Sequence, residues 1–106
     1  VAQYNKLVRD LVPGTLRAGG HKVVTRTLHG AELLKALRAK LDEEIAEYDA
    51  AVDDEHAVAE LADLLEVLVA LARQRGCTEA AIQQLRAAKA DQRGAFDLAL
   101  LLVSAQ

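Results

Sequence analysis

The spacing of apolar residues divides the chain into helical stretches separated by short breaks, with two extended runs at the margins. From Ala31 to about Ala51, Leu33, Leu34, Leu37, Leu41, Ile45 and Tyr48 recur in steps of three and four, which predicts an amphipathic helix. Asp53 and Asp54 are good caps for a second one, about Glu55 to Arg75, striped by Val58, Leu61, Leu64, Leu65, Leu68 and Leu71. Gly76 stops it, and Thr78 caps a third over about Glu79 to Gln92, closed by Gly94. Upstream, Asp10 is placed to cap a short helix from Leu11 to about Ala18, with Pro13 tolerated in its first turn and Gly19-Gly20 ending it.

Two runs lack a helical period. His21 to Leu28 (HKVVTRTL) is rich in β-branched residues and predicts a strand, broken by Gly30. The run from Phe96 to Ser104 is short and apolar. Its Leu and Ala content suits a helix, its length suits a strand near 98–104 pairing with 21–28, and periodicity does not separate the two. The expected fold is mainly α: one domain over residues 1–106, an antiparallel helical bundle with up to two short strands.

Composition narrows the classes. The chain has 106 residues, 52% of them hydrophobic, and only Tyr4, Tyr48 and Phe96 as aromatics. An Ala- and Leu-rich core without rings suits closely packed helices, and a chain this short favours a helical dimer. Cys77 is alone, so no disulfide framework or cysteine-ligated zinc site forms within one chain. No apolar run approaches the roughly 20 residues that span a bilayer. The polar start (Gln3, Tyr4, Asn5, Lys6) lacks the apolar core of a signal peptide, so a cytoplasmic protein is expected. A net charge of −3 argues against a nucleic-acid coat.

The acids carry the chemistry. At about 100° per residue, Glu44 falls inside the apolar arc of its helix, Glu47 at the edge and Glu43 farther out. On the next helix Glu60 lies inside the arc and Asp63 at its edge. Both helices thus set one acid into the buried stripe and a second three residues on. A short loop makes them antiparallel neighbours, so Glu44, Glu47, Glu60 and Asp63 can face one another. A buried carboxylate is expensive unless paired, protonated or given a metal, and hard oxygen donors without His or Cys favour Mg²⁺ or Mn²⁺. The plainer alternative is a set of interhelical salt bridges, with Arg38, Lys40, Arg73 and Arg75 as partners. His21, His29 and His56 show no ligand spacing. Lys89 and Arg93, one turn apart, lie where cations either complement a helix dipole or hold an anion.

Glu43-Glu44-x-x-Glu47 followed by Glu60-x-x-Asp63 resembles the EExxE…ExxD signature of the MazG-like all-α nucleotide pyrophosphohydrolases. Tyr4-Asn5-Lys6-Leu7-Val8-Arg9-Asp10 with Pro13 is similar to the opening motif of a small single-domain branch, and Lys89-x-x-x-Arg93-Gly94-x-Phe96 to its closing motif. Gly14 and Ala95 depart from the pattern without touching an acid. The resemblance implies an all-α dimer or dimer of dimers and Mg²⁺-dependent hydrolysis of nucleoside triphosphates to monophosphate and pyrophosphate. It implies Glu44, Glu47, Glu60 and Asp63 as metal ligands; for a metal-activated water, a carboxylate such as Glu44 or Glu47 is the candidate base. Lys89 and Arg93 take phosphate-binding positions, and Lys6 and Arg9 phosphate or interface positions. Hydrolysis of phosphoribosyl-ATP and a non-enzymatic dimerisation or regulatory module are the alternatives.

Overall fold

The computed structural model describes residues 4–106, so Gln3 lies outside the described residues. Four helices follow in order: α1 (Val12–Ala18), α2 (Gly30–Asp49), α3 (Asp54–Gln74) and α4 (Glu79–Arg93). The protein is mainly α, as the apolar spacing predicts, and no helix among the described residues is long and apolar enough to cross a membrane.

Local chemistry fixes the helix ends. Asp53 accepts a hydrogen bond from the His56 backbone N–H at 2.8 Å and also meets the His56 ring, starting α3 one residue before the expected position. Thr78 Oγ1 accepts from Ala81 N–H at 3.1 Å and starts α4. Gly94, at φ 82°, ends α4 in a backbone region that other residues avoid. At α1 the capping expectation fails: the residue before the helix is Leu11, without a side-chain cap, and Asp10 lies outside it in the preceding turn. Pro13 supplies the preset φ of the first turn instead.

α2 and α3 form an antiparallel hairpin that carries most of the tertiary packing, and α4 lies against α3. Leu37, Val67 and Val69 are its buried hydrophobics. α3 has two apolar faces. Leu64 and Val67, one and two turns beyond Glu60, share the side that meets α2. Leu65, Leu68 and Val69 line a groove with Ile82, Gln83 and Arg86 of α4. One copy leaves Val58, Leu61, Leu65 and Leu68 substantially exposed.

Neither expected strand forms. Residues 21–28 and 98–104 are extended or irregular and no ladder joins them. A β-branched sequence makes a strand only where another strand supplies the complementary backbone groups, and none of the described residues does so for either run. Segment 21–28 is instead tethered by side chains. Arg17 donates to the Val23 carbonyl at 3.3 Å, and the Arg26 guanidinium grips both Glu32 oxygens at 2.8 and 2.9 Å.

Candidate metal centre

The hairpin brings three of the four expected acids together. One carboxylate oxygen each from Glu44 and Glu47 on α2 and Glu60 on α3 lies within 4.8 Å of the other two. Burial grades across the group: Glu44 is buried, Glu60 half-buried and Glu47 exposed, so the cluster opens to solvent on the Glu47 side. Oε2 of Glu44 and Oε2 of Glu60 are both buried without a hydrogen-bond partner. Two orphaned acceptors in one cluster are costly, and the deficit is what a cation would fill.

Electrostatics point the same way. Desolvation, then the Glu47 charge, contact with the Glu44 carboxyl and the Asp63 charge push Glu60 up to about 7. The cluster therefore holds a proton near neutrality where a metal would replace it. Only oxygen donors line it, which suits Mg²⁺ or Mn²⁺ better than a softer ion.

Cations ring the cluster without entering its centre. Lys40 Nζ lies 3.6 Å from Glu44 Oε1 and 3.4 Å from Glu43 Oε2. Lys6 reaches Glu43 at 3.2 Å. Against the desolvation that opposes it, the Lys6 hydrogen bond and the Lys40 charge hold Glu43 below the usual carboxylate range. Asp63, the expected fourth ligand, stands outside the trio: its Oδ1 takes a 2.6 Å bond from Arg9. Among the described residues no Lys, Arg or His forms an ion pair with Glu47 or Glu60.

The four expected basic residues thus divide. Lys6 and Arg9 sit at the rim, held by Glu43 and Asp63. Lys89 and Arg93 are exposed on α4 and form no ion pair with any acid of the described residues. Lys40 is the member of the site that the motif reading does not pick out. Its signal is the helical spacing: three residues to Glu43 and four to Glu44 put it on their face.

No family model matches the chain, and no solved structure does. A protein of Mycolicibacterium smegmatis described as uncharacterized is 54% identical over 46 residues, which is 43% of this chain and 47% of the relative. The match therefore spans about half the length of that relative, and its description names no activity.

Proposed function

We propose that the chain is a Mg²⁺-dependent nucleoside triphosphate pyrophosphohydrolase, able to use Mn²⁺, that releases nucleoside monophosphate and pyrophosphate. One observation carries the reading: three carboxylates converge within 4.8 Å on an antiparallel hairpin, two of them with buried, unpartnered oxygens. The motif resemblance supplies the reaction class, and the three acids that converge, Glu44, Glu47 and Glu60, all belong to the motif.

Glu44, Glu47 and Glu60 would hold the cation, with Asp63 joining from the rim. When bound, the cation polarises the phosphate and lowers the pKa of a water molecule. Glu47, the exposed member, is the carboxylate best placed to take that water's proton, with Glu44 the second candidate. The water oxygen forms a bond to the α-phosphorus as the bond to the bridging oxygen breaks, and pyrophosphate leaves. Lys6 and Arg9, paired at the rim with Glu43 and Asp63, would neutralise the leaving group, and the closing motif would add Lys89 and Arg93. The reading places the activity in the cytoplasm, as removal of non-canonical nucleotides.

A helical module whose acids serve only as interhelical salt bridges has less support. Arg38 and Lys40 pair within α2, and Arg73 pairs with Glu79 across the α3–α4 turn. The test is a pyrophosphate-release assay over canonical and modified nucleoside triphosphates and phosphoribosyl-ATP, with Mg²⁺ and Mn²⁺. Wild type should release pyrophosphate, while Glu60→Gln and Asp63→Asn stay folded and release none. Full activity in either variant would sink the assignment.

A further inference from the structure

We propose that two copies of this chain exchange their post-α4 segments, residues 98–103 of one copy pairing as a β-strand with residues 21–28 of the other. The inference does not depend on the metal centre.

The first observation is a matched pair of unfilled strands. Segment 21–28 carries Val23, Val24, Thr25 and Thr27, residues that fit a pleated surface, yet Val24 is 97% exposed. Within 22–28 the hydrogen bonds to described residues are those of the Val23 carbonyl and the Arg26 side chain, so no backbone N–H of the run donates to a described residue. Residues 98–103 (LALLLV) are a continuous apolar run, and Leu98, Leu100, Leu101, Leu102 and Val103 are all at least 79% exposed. Beyond a single turn from Ala99 N–H to the Phe96 carbonyl, their backbone also makes no hydrogen bond to the described backbone. A strand that is apolar on both faces must be covered on both faces.

The second observation is the area. The chain exposes 9232 Å², where a compact monomer of this mass exposes about 5,800 Å². Its radius of gyration is 17.9 Å, against about 13 Å for a compact chain of this length. A standard interface covers about 800 Å² per partner, and an obligate dimer up to roughly 2,500 Å². The excess of roughly 3,400 Å² is on the scale of an obligate, interpenetrating assembly.

A second copy is the occupant because each chain carries both halves of the ladder. Under a two-fold axis, each copy gives one segment and receives one, so the assembly closes after two ladders. Pairing also covers the backbone of two exposed segments that would otherwise recruit other chains, with Leu98 and Ala99 leaving their present turn (Ala99 φ 51°) to join the strand.

The experiment combines light scattering with amide hydrogen exchange on the wild-type chain and on Leu101→Pro and Leu102→Pro made separately. Consecutive amides of a strand face opposite edges, so one of the two prolines removes a ladder donor. Wild type should be a dimer at micromolar concentration, with slow exchange in both 22–27 and 99–103. At least one proline variant should keep its helical circular dichroism, dissociate at least about 100-fold more readily and lose protection at 22–27. A monomeric wild type overturns the proposal, whether or not the segments are protected. So does a dimer in which 22–27 exchanges freely, or one that both prolines leave unchanged.

Discussion

The unpaired carboxylates of the α2–α3 hairpin make a quantitative prediction about stability. The perturbation is Mn²⁺ added to metal-free protein, followed by thermal unfolding at pH 8 and pH 5. Glu60 titrates near 7 in the folded chain, against an ordinary 4.5. Its folded pKa is raised, so its contribution to stability is complete below pH 4.5 and lost as pH rises through about 7. Glu32, Glu43 and Asp53 are shifted downward and act at more acid pH, so the window from 5 to 8 reports Glu60. Without metal, this group makes the protein melt lower at pH 8 than at pH 5. A cation closes most of that gap, because it stabilises the chain far more at pH 8 than at pH 5. At 100 times its dissociation constant it stabilises by about 2.7 kcal/mol, or roughly 10–20 °C for a domain of this size. At pH 5 it must displace the Glu60 proton, which weakens binding by about 100-fold. The same concentration then stabilises by only about 0.4 kcal/mol, a shift of about 2–3 °C. Glu60→Gln should abolish the shift at pH 8. Equal shifts at both pH values, or a full shift in Glu60→Gln, would refute the reasoning.

Three further outcomes follow from particular contacts. Asp53→Ala removes the α3 cap and should cost about 1 kcal/mol, a melting point lower by about 4–8 °C. Because His56 holds the Asp53 carboxyl below its ordinary 3.8, the cap's contribution should persist through mildly acid pH and disappear only as pH falls through that range. Leu37→Ala empties a buried position of a thin core and should cost about 2–3 kcal/mol by denaturant unfolding; a loss below 1 kcal/mol would show that the position is not core. Arg9→Gln frees Asp63, so isothermal titration should show tighter Mn²⁺ binding and weaker binding of pyrophosphate to the metal-loaded protein.

Much of this arrangement is legible in the sequence, for identifiable reasons. The ends of α3 and α4 follow from Asp53, Thr78 and Gly94, whose effects act over a few residues. The convergence of Glu44, Glu47 and Glu60 follows from helical phase plus a short loop. What is not legible depends on the path of the chain outside the helices. Asp63 shares the edge position that makes it an expected ligand, but the run 4–11 brings Arg9 onto it. Segments 21–28 and 98–104 have strand-like composition, and whether a strand forms depends on a partner that one chain does not supply. Lys89 and Arg93 match the closing motif, and among the described helices α4 packs on α3 alone, where both side chains are exposed without an ion pair to a described acid.

The most direct test of the proposed site is a crystal grown with Mn²⁺ and examined at the manganese absorption edge. The expected result is an anomalous peak bounded by the carboxylates of Glu44, Glu47 and Glu60, at metal–oxygen distances of about 2.1 Å. A fully occupied peak elsewhere on the chain, or none at these three carboxylates, would contradict the reading.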